Sequence, residues 1–190
     1  MGVCQVRHKA IFLDRDGVLN HAIVRNGKPY PPASLDELSI PDDAITALQQ
    51  LKKYGFLLIG ATNQPDVARG TTRRQTVEAI NAKLLEWLPL DEINICYHDD
   101  KDSCACRKPL PGLLTEAAKR LHIDLSSSFT IGDRWKDIEA GQRAGCKTIW
   151  LKQDYLERRE PEQPANFIAT SLTEAISWIF TLETVVEQQF

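Results

Sequence analysis

The sequence lacks any apolar run that approaches the roughly 20 residues needed to cross a membrane. Its first residues, MGVCQVRHKA, also lack the apolar core of a signal peptide and the Ser or Thr that completes a myristoylation signal. Positive charge is not in excess either, because the formal net charge is -3 and a nucleic-acid surface is usually basic. We therefore expect a cytoplasmic protein that binds neither membranes nor nucleic acids.

Cysteine is scarce and odd in number, with five residues among 190 and no export signal, so we expect no disulfide framework. Cys4 and Cys146 stand apart, and we interpret them as a terminal thiol and a small buried apolar residue. The other three cluster with a histidine: Cys96, His98, Cys104 and Cys106. This cluster is the first candidate for a metal site.

Short apolar runs alternate with segments of helical periodicity along the chain. The apolar runs predict five strands and a weaker sixth: 10–13, 56–61, 93–96, 129–131, 147–151 and 167–169. Helical spacing predicts five helices, the last opening with a Ser-x-x-Glu capping box: 42–55, 71–88, 111–122, 135–145 and 171–180. The alternation predicts an α/β fold with a mostly parallel sheet covered on both faces. We expect one domain over residues 1–190, with a core of about 9–180.

Polar residues follow the ends of the four central strands. In chain order they are Asp14-Arg15-Asp16, Thr62-Asn63, a Cys/His loop that closes on Arg107-Lys108-Pro109, and Gly132-Asp133-Arg134 with Asp137 four residues later. Ligands of parallel sheets bind beyond the carboxyl ends of the strands. We therefore expect these side chains to share one site.

The collected groups are typical of phosphoryl transfer. Clustered carboxylates without a supporting histidine suit a hard cation such as Mg²⁺, whereas a lysine and a hydroxyl suit phosphate oxygens. With the cation and Lys108 reducing the repulsion between a carboxylate and a phosphoryl group, Asp14 can act as nucleophile and Mg²⁺ ligand. Asp16 can then protonate the leaving oxygen and later accept a proton from water.

Four motifs in order, LDRDGVLN, ATNQ, CRKPLPG and IGDRWKD, resemble those of the haloacid dehalogenase (HAD) superfamily of aspartyl-phosphate phosphatases. The resemblance implies a doubly wound fold in which Asp14 is the nucleophile and Asp16 the acid and base. It also implies that Thr62 and Lys108 hold the phosphoryl group. Asp14, the main-chain carbonyl of Asp16, and Asp133 would bind Mg²⁺, and Asp137 would orient the site. Because only about twenty residues separate the first motif from the first helix, we expect no large cap domain.

Three thiols and an imidazole in the spacing Cys-x-His-x₅-Cys-x-Cys can complete a tetrahedral zinc shell. Such a closed shell predicts a structural Zn²⁺ bound by Cys96, His98, Cys104 and Cys106. Reduced thiols in a polar loop are the alternative. Since Arg107 and Lys108 follow Cys106 directly, zinc would fix how these two cations enter the site.

This loop narrows the resemblance to a branch that contains heptose 1,7-bisphosphate phosphatases and histidinol-phosphate phosphatases. CRKPLPG, RLHIDLSSS and NQPDVARG are similar to the first group, whereas the five-residue gap after His98 is more similar to the second. The resemblance implies substrate contacts by Asn63, Arg107 and Arg134. Pro65 lacks an amide N–H and so argues against a phosphate contact by that backbone group.

We expect a small phosphorylated metabolite as substrate, with D-glycero-D-manno-heptose 1,7-bisphosphate ahead of histidinol phosphate, and a monomeric enzyme. Two non-enzymatic alternatives are a receiver-like signalling domain and a zinc-containing binding module. Asp16 argues against the former, and the complete set of catalytic side chains argues against the latter. The charged segment 154–164 predicts an exposed loop to which the sequence assigns no function.

Overall fold

The computed structural model describes residues 7–156 and 159–187. Cys4, which we expected to be a terminal thiol, lies outside these residues, as does part of the segment 154–164. Within them the chain forms eight strands: β1 (Ala10–Leu13), β2 (Ile23–Arg25), β3 (Lys28–Tyr30), β4 (Leu57–Asn63), β5 (Glu92–Cys96), β6 (Phe129–Gly132), β7 (Lys147–Leu151) and β8 (Phe167–Ala169). Five helices accompany them: α1 (Ala44–Lys53), α2 (Arg74–Trp87), α3 (Gly112–Leu121), α4 (Trp135–Ala144) and α5 (Leu172–Glu187).

Six strands form one sheet in the order β5-β4-β1-β6-β7-β8, and every neighbouring pair is parallel. The chain moves outward from β1 in one direction through β4 and β5, and in the other through β6, β7 and β8. The end of β1 therefore lies at the point where the strand order reverses, which is where doubly wound sheets bind ligands.

Strand β1 shows why the sheet is covered on both faces. Its alternate residues point to opposite sides: Ile11 and Leu13 pack with α1, α2 and α5, whereas Ala10 and Phe12 pack with α3. All four side chains are fully buried. The near-continuous apolar sequence of the strand is thus explained by two hydrophobic layers, as the α/β prediction requires.

The structure confirms all six predicted strands of the sheet and all five predicted helices. Strand β4 continues through Asn63, two residues past its predicted end, and α5 continues seven residues past its own. The capping box is half confirmed: Ser171 Oγ accepts a hydrogen bond from the Glu174 amide at 3.1 Å. The Glu174 carboxylate, however, accepts from the amide and hydroxyl of Thr170, one residue earlier than a capping box requires.

The hairpin formed by β2 and β3 was not predicted. Its strands are only three residues long, but Asn26 and Gly27 between them both have positive φ angles, 51° and 71°. This is the backbone conformation of a two-residue hairpin turn, for which Asn-Gly is a strong signal. Among the described residues the hairpin and one short 3₁₀ turn, Leu35–Glu37, are the only elements between β1 and α1, so no large cap domain is inserted there. No described helix has the length and apolarity that crossing a bilayer demands.

Candidate active site

The site is built around Lys108, whose side chain is only 4% exposed. Its Nζ donates to Asp14 Oδ1 and to the Ala61 carbonyl, both at 2.6 Å, and lies 2.5 Å from Asp137 Oδ1. Asp14 follows β1, Ala61 lies in β4 and Asp137 lies in the first turn of α4. Lys108 itself, Asp14 and Asp137 come from three of the four predicted strand-end groups, and the structure brings them into contact.

Three carboxylates form an acidic cluster beside this lysine. Asp14, Asp133 and Asp137 each place a carboxylate oxygen within 4.8 Å of the others. Asp133 Oδ1 is buried and has no hydrogen-bond partner among the described residues. An orphaned carboxylate oxygen within an all-oxygen donor set fits a hard divalent cation.

Asp137 differs from the other two members of the cluster because both of its oxygens are occupied. Oδ1 pairs with Lys108, and Oδ2 accepts from the Arg134 amide at 3.1 Å, where it caps the start of α4. This arrangement is consistent with the predicted orienting role, which none of these contacts tests directly.

Burial has a strong effect on the charges of the cluster. It is the largest influence on Asp14 and raises its pKa to about 6, while Lys108 opposes the rise and Asp137 and Asp16 add to it. Burial likewise raises the pKa of Asp133, helped by the charge of Asp14. For Lys108, burial lowers the pKa, but the charges of Asp137 and Asp14 outweigh it and raise the pKa overall. A divalent cation would relieve the repulsion among the carboxylates.

Asp16 lies outside this cluster and has its own partners. Its carboxylate accepts two hydrogen bonds from Arg15, at 3.1 and 2.9 Å, one from Gln64 at 2.8 Å and one from Asn20 at 3.1 Å. Arg15 is fully buried and also donates to Asn81 of α2 at 3.0 Å. Sequence analysis assigned no role to the three partners of Asp16 or to Asn81. The signal available for Arg15 was a cation placed between two aspartates at the end of a buried strand.

The neighbouring residues Thr62 and Asn63 lie between Asp16 and Lys108 in the hydrogen-bond network of the site. Gln64 donates to the Thr62 hydroxyl at 2.9 Å as well as to Asp16, so one amide bridges both side chains. The Asn63 side chain accepts from the Lys108 amide and donates to the Lys108 carbonyl, each at 3.0 Å. Asn63 therefore holds the backbone of Lys108, and its predicted substrate contact stays a prediction.

A cavity opens over these groups. Its walls include Asp14, Asp16, Thr62, Asn63 and Lys108, together with Pro29, Tyr30 and Pro31 of the hairpin region and the cations Arg69, Arg134 and Lys136. Arg134 lines this cavity, and its predicted substrate contact stays a prediction. Arg107 is not among the residues that line this cavity: its Nε donates to Asp100 at 2.7 Å and its Nη1 to the His98 carbonyl at 3.2 Å. It lines a neighbouring pocket beside the Cys/His loop, and its predicted substrate contact also stays a prediction.

The Cys/His cluster is assembled as the spacing predicted. The distances from Cys106 Sγ to the sulfurs of Cys96 and Cys104 are 3.2 and 3.5 Å, and that between Cys96 and Cys104 is 3.7 Å. His98 Nδ1 lies 3.6 Å from Cys96 Sγ and 3.3 Å from Cys106 Sγ. Tetrahedral Zn²⁺ with Zn–S bonds of about 2.3 Å would place its sulfurs roughly 3.8 Å apart, so the set fits zinc after a small expansion. All four cysteines within the described ranges are free thiols.

The fold and the site define a class, the HAD-like hydrolases. A protein-family model described as HAD-hydrolase-like matches residues 105–175 of the sequence. The D-glycero-β-D-manno-heptose-1,7-bisphosphate 7-phosphatase of Pasteurella multocida is 36% identical over 87% of this chain and 94% of its own. That of Escherichia coli K12 is 35% identical over 87% and 90%. The chain belongs to the family of these phosphatases and is itself a phosphatase.

A solved structure supports the same assignment. The D,D-heptose 1,7-bisphosphate phosphatase from B. bronchiseptica, complexed with magnesium and phosphate, superimposes with a TM-score of 0.76 at 30% identity. The match covers 91% of this chain and 98% of that one. The predicted class of fold and of enzyme is therefore confirmed, whereas the individual site residues still rest on geometry.

Proposed function

We propose that this phosphatase removes the 7-phosphate of D-glycero-β-D-manno-heptose 1,7-bisphosphate through an aspartyl-phosphate intermediate on Asp14. The observation that carries the chemistry is the contact of Lys108 Nζ with Asp14 Oδ1 at 2.6 Å, beside two further carboxylates. The substrate is supported by the relatives that match 87% of the chain, which are heptose-1,7-bisphosphate 7-phosphatases.

In the first step Asp14 attacks phosphorus and the bond from phosphorus to the sugar oxygen breaks. That oxygen takes a proton from Asp16 and leaves as a hydroxyl. Lys108 and the Thr62 hydroxyl lie on the cavity wall where they can hold the phosphoryl oxygens. In the second step water attacks the phosphorus of the aspartyl phosphate and gives a proton to Asp16, and the bond between phosphorus and Asp14 breaks to release phosphate and restore the carboxylate. Arg15 and Gln64 hold the Asp16 carboxylate in one orientation for both transfers.

We assign the Mg²⁺ site to the carboxylates of Asp14 and Asp133 and the main-chain carbonyl of Asp16, with Asp137 orienting Lys108. When bound, the cation neutralises charge on the transferring phosphoryl group. The unpartnered Oδ1 of Asp133 and the raised pKa values of Asp14 and Asp133 support this assignment.

We assign structural Zn²⁺ to Cys96, His98, Cys104 and Cys106. The site is linked to the cavity by Arg69, which donates to Asp99 at 2.5 Å and lines the cavity wall. Metal analysis of protein purified without chelator should find about one zinc per chain. Cys104→Ser should lose it and Cys146→Ser, which changes a buried cysteine outside the Cys/His cluster, should retain it. Zinc-free wild-type protein would contradict the assignment.

A bisphosphate needs a second cationic contact besides Lys108. Arg134 and Lys136 supply positive charge on the same wall, at the start of α4. We propose that this wall faces the phosphate that is retained, since the cluster around Asp14 holds the one that leaves.

The test compares kcat/KM for Mg²⁺-dependent phosphate release from the heptose bisphosphate and from histidinol phosphate. We expect the bisphosphate to be preferred at least tenfold, and Asp14→Asn to lower its kcat by about 10³-fold or more. Asp36→Asn, which changes an exposed carboxylate outside the cavity, is the matched control. Preference for histidinol phosphate would transfer the substrate assignment to that compound, and activity on neither would refute both assignments.

A further inference from the structure

Tyr155 lies in the segment between β7 and β8, to which the sequence assigned no function. Its hydroxyl donates to Asp133 Oδ2 at 2.7 Å. The same segment reaches the turn after β1, where Gln153 Nε2 donates to the Gly17 carbonyl at 3.1 Å. Tyr155 therefore contacts a carboxylate of the acidic cluster, and Gln153 contacts the turn that follows Asp16.

The hydrogen bond gives the two oxygens of Asp133 different roles. Oδ2 is held by Tyr155, whereas Oδ1 is buried and has no partner among the described residues. The Asp133 carbonyl is held as well, because it accepts from Trp150 Nε1 at 3.0 Å. Asp133 is thus fixed at both its main chain and its side chain, and its Oδ1 is the carboxylate oxygen that remains available to a cation.

The fit between Tyr155 and Asp133 depends on the backbone of Gly17. A Cβ at position 17 would lie 2.0 Å from Asp133 Oδ2 and 2.8 Å from the Tyr155 hydroxyl. The hydroxyl and the carboxylate therefore meet in a space that only a glycine leaves open.

The segment is also fastened at its far end. The Leu156 amide donates to the Gly27 carbonyl at 2.8 Å, in the turn of the β2–β3 hairpin. Tyr155 is consequently held between this turn and the sheet.

We propose that Tyr155 is a positioning residue that fixes the Asp133 carboxylate for binding a divalent cation. It acts through Asp133 and contacts neither the phosphoryl group nor the nucleophile. The inference rests on the magnesium site of the proposed function. Outer partners of metal ligands typically contribute 10- to 100-fold in metal affinity or activity.

The test measures Mg²⁺ binding to the magnesium-free, zinc-loaded protein by calorimetry. Tyr155→Phe removes the donor and keeps the ring, and we expect it to raise the Kd for Mg²⁺ by about 10-fold. At saturating Mg²⁺ its kcat should return to within a few-fold of the wild-type value. Tyr54→Phe, which removes a hydroxyl at the end of α1, is the control and should leave the Kd unchanged.

A Kd within twofold of the wild-type value in folded Tyr155→Phe would overturn the proposal. If that variant does not fold, Tyr155→His and Tyr155→Leu are compared, because only the His side chain carries a hydrogen-bond donor, a ring N–H in place of the phenol O–H. Tighter Mg²⁺ binding by the His variant supports the proposal, and equal binding overturns it. Wild-type protein that binds Mg²⁺ but releases no phosphate would refute the proposed function instead, so the two failures are distinguishable.

Discussion

Asp14 and Asp16 are separated by one residue yet have different neighbours. Asp14 pairs with Lys108 and lies among carboxylates, whereas Asp16 accepts four hydrogen bonds from Arg15, Gln64 and Asn20. A nucleophile needs a free oxygen and a nearby cation, and an acid and base needs a fixed direction. The one-residue separation directs the two side chains into these two environments.

Arg15 should contribute strongly to stability because it is fully buried and donates to both Asp16 and Asn81. Removing one partner of a buried ion pair leaves the other charge uncompensated, at a cost of about 3 kcal/mol or more. We therefore expect Arg15→Met to lower the free energy of unfolding by about 3 kcal/mol, measured with urea. Lys119→Met breaks an exposed pair with Glu116 and should cost about 0.5 kcal/mol or less. Equal losses in the two variants would contradict this account.

Magnesium affinity should depend on pH through Asp14. Burial raises the pKa of this carboxyl to about 6, so the group is ionised above that pH and holds a proton below it. Because proton and cation compete for the same oxygens, lowering the pH from 7.5 to 5.5 should weaken Mg²⁺ binding by about fourfold through Asp14 alone. The raised pKa of Asp133 adds to this effect. Calorimetric titrations at the two pH values check it, and a Kd that does not change with pH would count against it.

The meeting of the candidate side chains was predictable because a parallel sheet brings the ends of its strands to one edge. This rule placed Asp14, Thr62, Lys108 and Asp133 correctly. It could not find Asn81, whose contact with Arg15 depends on how α2 is rotated against the sheet. Nor could it find Tyr155, because an irregular segment carries no periodic signal that shows where its side chains point.

At the scale of elements, the turn after β1 is constrained both by its backbone conformation and by steric contact at Gly17. Gly17 has a φ angle of 101°, and its amide donates to the Asn20 carbonyl at 2.7 Å. Any other residue there faces both backbone strain and the carboxylate of Asp133. The turn therefore borders the acidic cluster as well as connecting β1 to the residues that follow.

Two glycine variants separate strain from contact. Gly17→Ala and Gly55→Ala both place a Cβ at positive φ, but only the former meets Asp133, since a Cβ at position 55 has nothing within 4 Å. We expect Gly55→Ala to cost about 1–2 kcal/mol of unfolding free energy and Gly17→Ala to cost more. Gly17→Ala should also weaken Mg²⁺ binding, whereas Gly55→Ala should not. Urea unfolding and calorimetry measure both effects; identical behaviour of the two variants would show that the Asp133 contact is unimportant.

At the scale of the whole molecule, one sheet joins the first and last parts of the described chain. Its strands run from Ala10 to Ala169, and each face has one layer of buried apolar side chains. Alternating strand and helix patterns were sufficient to predict this architecture. The hairpin could not be obtained from periodicity, because three-residue strands are too short to show alternation.

The shared sheet predicts that the protein unfolds as one domain. Trp178 on α5 packs against Phe129 and Phe167 of two strands, so its fluorescence reports on tertiary structure. We expect fluorescence and far-ultraviolet circular dichroism of the metal-loaded protein to give the same urea midpoint. Midpoints that differ between the two probes would indicate separate units and contradict the single domain.

The hairpin affects how the substrate range of this enzyme can change. It supplies Pro29, Tyr30 and Pro31 to the cavity wall, but its two strands belong to a separate sheet. Its sequence can therefore change without altering the connections after β1, β5 and β6 that carry Asp14, Lys108 and Asp133. Libraries randomised at positions 28–31 should yield new substrate ranges while retaining hydrolysis, so selectivity can evolve independently of the reaction.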